Sequence, residues 1–257
     1  MSDINELLAT TAGDAINWPM LKIKYLTDPE NIAKLLPPGF EPASKPEVIL
    51  TAYNFPVNGH PEFGFVTAIA AKHNGVEGEF ALGYAIDRES EIFISQEKFG
   101  QPKYPANIEY FRLMNYVEAR VSHQNYTFFE FKGQATEVLE NGDDFVVNEF
   151  WLKYSRTASY TEPGFDFPPH VVNVYSKYAT AQKLKVEGEL TLRDSPWDPI
   201  AQNLPIKSEL DSCLWTPVFL DRTVTLGEPL DADAFEPRAS TIGNSRWPGT
   251  NGGPLMT

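Results

Sequence analysis

The chain has 257 residues, with 35 acidic against 21 basic side chains and a formal net charge of −14. That balance, with a pI near 4.7, argues against a nucleic-acid binder, which needs clustered Lys and Arg for phosphates, and against an anionic membrane surface. Hydrophobic residues make up 42% of the chain and aromatics 13%, enough for a packed core and too much for a disordered acidic protein.

Taken in chain order, strand-like runs dominate. Residues Met1 to Pro19 lack a basic region followed by an apolar run, so no export signal is expected. A short helix is predicted at Asn5 to Thr10, then a strand at Met20 to Leu26. Asp28 to Leu36 has a capping Asp, Pro at the first helical position and a Pro-Pro stop, and predicts a helix. Strands are predicted at Glu47 to Tyr53, Phe63 to Ala71, Phe80 to Ile86, Glu91 to Ser95, Tyr116 to Ser122 and Tyr126 to Val138. In the last run Phe129, Phe131, Gly133 and Ala135 share one face, a period of two. Asn141-Gly142 then breaks the pattern before Phe145 to Tyr154, and the pair reads as a long hairpin. Further strands are predicted at Val171 to Tyr178, Leu184 to Leu192 and Trp215 to Thr225, with a short helix near Trp197 to Leu204.

The expected fold is mainly β (α+β), an antiparallel β-barrel or sandwich with a few short helices. One domain spans residues 1–229, and the Pro-, Gly-, Asn- and Asp-rich stretch 230–257 is expected to be irregular or disordered. The single cysteine, Cys213, excludes an intrachain disulfide and a Cys-based zinc site, and fits a reducing compartment. No run approaches the roughly 18 apolar residues of a membrane span. The expectation is a cytoplasmic protein without membrane or nucleic-acid partners.

Motifs for common chemistries are missing. There is no glycine-rich dinucleotide or phosphate loop, no His-Glu-x-x-His and no nucleophile elbow. His60, His73, His123 and His170 have no ligand spacing, so neither a metal nor a cofactor is expected. Ser95 and Lys98 match a Ser-x-x-Lys pattern, but without its companion motifs. The informative segment is Glu97 to Pro105. It fixes Lys103 between Pro102 and Pro105, two residues after Gln101 and three after Gly100. One reading is a solvated turn lysine. The other is a lysine at the mouth of a barrel, partly desolvated, whose neutral amine attacks a carbonyl.

With Lys103 in this setting the chain resembles the acetoacetate decarboxylase superfamily. Gly100, Pro102 and Lys103 are similar to the family's Pro-Lys-Lys motif around its imine-forming lysine. The runs Asn74 to Phe80 and Ile86 to Glu89, and Leu192 to Asp194 with Asp198 to Lys207, resemble family segments in the same order, from about residue 18 to about residue 225. The resemblance implies a barrel or cone-like sheet around a buried lysine, a homo-oligomer, and a small carbonyl compound as partner. Acetoacetate decarboxylase itself is the standard illustration of a lysine activated by desolvation or an adjacent cation. Here the following residue is Tyr104 instead of lysine, and Trp18 falls where the family has an arginine. The resemblance places Glu62 near the lysine and Thr51 where a second glutamate is expected.

The expected function is therefore a cofactor-independent, decarboxylase-like lyase that forms a Schiff base through Lys103 with a small oxo acid or β-keto compound. Glu62 and Tyr104 are the candidate acid/base groups. Glu89 and Glu97 flank the site in sequence, and Arg88 or Arg112 takes the part of the missing arginine. Aldol-dehydration or cyclisation on the same fold, and a non-catalytic binding barrel, are the alternatives.

Overall fold

The computed structural model describes residues 19–57, 59–239 and 247. Its twelve strands form one sheet. They are β1 (Met20–Leu26), β2 (Phe40–Pro42), β3 (Glu47–Val57), β4 (His60–His73), β5 (Val76–Ile86), β6 (Lys103–Pro105), β7 (Asn107–Leu113), β8 (Tyr116–His123), β9 (Tyr126–Leu139), β10 (Phe145–Arg156), β11 (Phe165–Leu192) and β12 (Asp211–Pro229). Among the described residues four short helices accompany them: α1 (Pro29–Leu35), α2 (Glu89–Phe99), α3 (Ile200–Asn203) and α4 (Ala232–Phe235).

Seven strands close into a ring in the order β10-β5-β4-β3-β1-β12-β11, with β10 pairing back to β11. Most pairings are antiparallel, but β5 runs parallel to both β10 and β6. β11 belongs to two layers. Its first part pairs with β10, and its last part, from Lys183 to Leu192, pairs with β9. The strands β9, β8 and β7 continue the sheet from there.

Two apolar cores follow from this arrangement. In each barrel strand alternate residues face outward or inward. Outward-facing Ile23, Val48, Leu50, Phe65 and Ile69 join Val117, Val121, Phe129 and Phe131 in the larger core under the β7–β9 layer. Inward-facing Tyr53, Phe55, Tyr84, Trp151 and Val174 make a second cluster inside the barrel.

Several sequence expectations change. The run Glu91 to Ser95 is helical, as part of α2. Its β-branched residues suggested a strand, but Ile92 and Ser95 are the buried positions, three apart, while Phe93 and Ile94 are exposed. Early Glu89 and Glu91, late Lys98 and the left-handed Gly100 cap are helix signals. β9 and β10 are no hairpin: β9 pairs with β8 and β11, and β10 with β11 and β5. The two strands expected at 171–178 and 184–192 are halves of the 28-residue β11. β2, β6 and β7 were not anticipated. Within the stretch expected to be irregular, residues 232–238 form α4 and a 3-10 turn, and Phe235 is fully buried. The helix expected at Asn5 to Thr10 lies outside the described residues.

Candidate active site

Lys103 opens β6, whose pairing with β5 sets Lys103 opposite Tyr84, Tyr104 opposite Ala85 and Pro105 opposite Ile86. The register is fastened by Tyr84 N–H donating to Pro102 O at 2.9 Å, and by the Gln96 side-chain amide donating to Lys103 O. Gly100, at φ 66, ends α2 and turns the chain into β6. Lys103 therefore reaches its place from a helix, not from the strand expected before it.

Because successive strand residues point to opposite faces, Lys103 and Tyr104 part company. Lys103, 8% exposed, shares the face of Tyr84 and points to the barrel interior. Tyr104 is buried in the larger core, its ring 4.8 Å from that of His123. His123 is held by Asp198 at 2.6 Å. The structure brings Lys103 and Glu62 together and sends Tyr104 to the other side of the wall.

Glu62 enters from β4, opposite Phe55 of β3. Its Oε2 lies 3.9 Å from Lys103 Nζ, too long for a hydrogen bond, and makes none among the described residues. Its Oε1 accepts from the Tyr53 hydroxyl at 3.4 Å. Tyr53 pairs with Gly64, and a Cβ on Gly64 would sit 2.1 Å from Tyr53 Cζ. The missing side chain is what lets the ring lie across β4 and reach the carboxylate. Phe55 stacks on Tyr53 at 4.3 Å and holds it there.

The electrostatics push both partners toward neutrality. Burial lowers the Lys103 pKa, against the pull of Glu62 and Glu91 and with help from Arg88. Burial raises the Glu62 pKa, opposed by Lys103 and Tyr53 and assisted by Glu91 and Asp87. A free amine beside a protonatable carboxyl is the pairing that imine chemistry needs.

Of the remaining candidates, Arg88 caps α2 and donates to Val57 O at 2.7 Å, and among the described residues it is the one cation bearing on Lys103. Arg112 lies in β7 beside Tyr110 and is not among those charges. Glu89 and Glu97 are on α2, but its carboxylate that acts on Lys103 is Glu91. Thr51 is buried in β3, opposite Lys22 of β1. Trp18 lies outside the described residues. Sequence reading missed Tyr53 and Glu91. The sequence signal for Tyr53 was faint, an aromatic opposite a strand glycine, and needed the register of β3 on β4 to be seen. Among the described residues no cluster of His, Cys, Asp and Glu could hold a metal ion.

The fold has known relatives. The fold matches an acetoacetate decarboxylase from Legionella pneumophila with a TM-score of 0.67 and 18% identity, over 88% of this chain and 94% of that one. An acetoacetate decarboxylase-like enzyme from Sphingomonas wittichii RW1 matches with a TM-score of 0.68 and 18% identity, over 83% and 92%. The enduracididine biosynthesis enzyme MppR, in complex with the condensation product of pyruvate and imidazole 4-carboxaldehyde, matches with a TM-score of 0.62 and 13% identity, over 80% and 87%. No curated protein sequence matches. The family model for acetoacetate decarboxylase (ADC) covers residues 7–230, and with that extent of match the chain belongs to the acetoacetate decarboxylase family.

Proposed function

We propose that the protein is a cofactor-independent lyase in which Lys103 forms a Schiff base with a small oxo acid or β-keto compound. The observation that carries this is the buried Lys103–Glu62 pair, 3.9 Å apart inside the barrel, with both groups shifted toward their neutral forms. The Lys103 amine adds to the carbonyl carbon, and loss of water gives an iminium. For a β-keto acid, the electrons of the bond to the carboxylate carbon move to the iminium nitrogen as CO2 leaves, giving an enamine. Protonation of its carbon and addition of water return the amine and release a ketone. In this reading Glu62, 3.9 Å from the amine, carries the protons, and Arg88 meets the substrate carboxylate.

A second reading is aldol condensation followed by dehydration. MppR, of the same fold, holds the condensation product of pyruvate with an aldehyde. The enamine at Lys103 would attack an aldehyde instead of a proton. Homo-oligomerisation and a cytoplasmic location belong to the same proposal, supported by the family resemblance and the single cysteine.

Intact-mass analysis after borohydride treatment with pyruvate or acetoacetate tests the mechanism. One adduct is expected, at Lys103. Adducts spread over surface lysines with Lys103 unmodified would overturn it. Release of CO2 or of a condensation product separates the two readings.

A further inference from the structure

The barrel has a second polar region that this chemistry does not use. Lys22 of β1 sits opposite Thr51, four residues along β3 from Phe55, the partner of Glu62. Through Val66 and Tyr84 the same row of partners reaches Lys103, four strands away, or about 19 Å around the wall at about 4.8 Å per strand. At Lys22 a cavity of about 640 Å³ opens between β1, β5, β10, β12 and the turn at 140–143. Its size is that of a small-molecule site.

Lys22 is one of its lining residues, with a mostly buried side chain. Its Nζ is 3.4 Å from Glu79 Oε1 and 5.5 Å from the centre of the Trp215 ring. An ammonium has three protons to donate, and this long contact is the one hydrogen bond Lys22 makes among the described residues. Burial pulls its pKa down, but Glu79, Tyr178 and Cys213 more than offset this, so Lys22 stays charged. Lys183 supplies a second cation to the lining. Phe145 and Trp215, 5.5 Å apart, make an aromatic wall.

The charge pattern selects the ligand. Six carboxylates and three lysines line the chamber. A simple anion meets the excess of carboxylates, and a simple cation meets Lys22 and its two fellow lysines. A molecule with both charges satisfies both. We propose that this chamber binds a small zwitterion of the α-amino acid type, its carboxylate on Lys22 and Lys183, its ammonium toward Glu79 and Asp143, and its side chain on the Phe145–Trp215 wall. The site is independent of the imine chemistry proposed for Lys103.

Calorimetric titration of the full chain with L-phenylalanine tests it, with 3-phenylpropionate and phenethylamine as single-charge controls. L-Phenylalanine is expected to bind saturably, and each control about ten-fold or more weakly. Lys22→Met should weaken L-phenylalanine binding by about ten-fold or more. Lys183→Ala, at the half-buried rim, should weaken it without risk to folding. Lys103→Met should leave it unchanged. Absence of saturable binding, equal binding of a control, indifference to both Lys22→Met and Lys183→Ala, or loss of binding in Lys103→Met would each overturn the proposal. Failure of borohydride trapping at Lys103 would not touch it.

Discussion

Glu62 has two opposed effects at the candidate site. It offers a proton carrier, and it also favours the ammonium form of Lys103, which cannot attack a carbonyl. Glu62→Gln is therefore expected to lower the Lys103 pKa further while slowing any step that needs proton transfer. The pH dependence of single-site acylation at Lys103 should shift to lower pH in the variant, and turnover should fall by about 10²-fold or more. An unchanged acylation profile would show that the 3.9 Å separation carries no coupling. Tyr104 behaves differently from what its adjacency to Lys103 suggests. A lysine at that position would be buried in the larger core beside His123 instead of standing beside the Lys103 amine. Tyr104→Lys is expected to cost about 3–5 kcal/mol in chemical denaturation, as an unpaired buried charge does. Tyr104→Phe should keep imine formation within about two-fold, since the hydroxyl is on the other side of the strand from Lys103.

At the scale of elements, the position of Lys103 depends on how α2 ends. Gly100 has φ +66, and a Cβ there would lie 2.3 Å from Leu152 O of β10. Alanine would meet both the left-handed backbone cost and a clash with backbone that cannot rotate away. Gly100→Ala is expected to destabilise by about 2–4 kcal/mol and to slow trapping at Lys103, because the loop must move off β10. Denaturation and trapping rates measured on the same variant check both effects. Within α2 the local signals conflicted. The apolar residues from Ile92 to Ile94 imitate a strand, whereas the acidic first turn and terminal glycine specify a helix. Capping and the burial of Ile92 and Ser95 against the barrel prevailed. The strand after Asn141-Gly142 shows the other kind of failure. The turn residues and both flanking strands are real, but β10 finds its partners in β11 and β5, and β11 lies between β9 and β10.

At the scale of the whole molecule, closing the barrel traps charges that an open sheet would leave in water. Glu149 of β10 faces Glu79 across the parallel seam with β5 and takes a hydrogen bond from Trp151 Nε1 at 2.7 Å. Burial raises its pKa from the usual 4.5 to about 7. The folded state thus holds this proton where the unfolded chain has lost it. Its contribution to stability is complete below pH 4.5 and is lost as pH rises to about 7. The loss is on the order of 3 kcal/mol, at about 1.36 kcal/mol for each pH unit between 4.5 and about 7. Denaturation midpoints at pH 5 and pH 8 should differ less in Glu149→Gln than in the wild type. An equal difference in both proteins would mean that Glu149 is solvated through the barrel mouth.

The β-rich class, most strand positions, the helix after Asp28 and the singular setting of Lys103 are legible in the chain alone. These depend on local causes: alternation of apolar residues, proline and glycine punctuation, and a motif carried on adjacent positions. The β9 pattern was readable for that reason, and Phe129 and Phe131 are both fully buried. Tertiary structure decided that Glu62 meets Lys103, that Tyr53 reaches Glu62 over Gly64, and that Tyr104 turns to the other core. It also decided that one strand, β11, serves two layers. Each of these depends on interstrand register between segments far apart in the chain. A shift of one residue would reverse every side chain, and no local preference fixes which register is adopted.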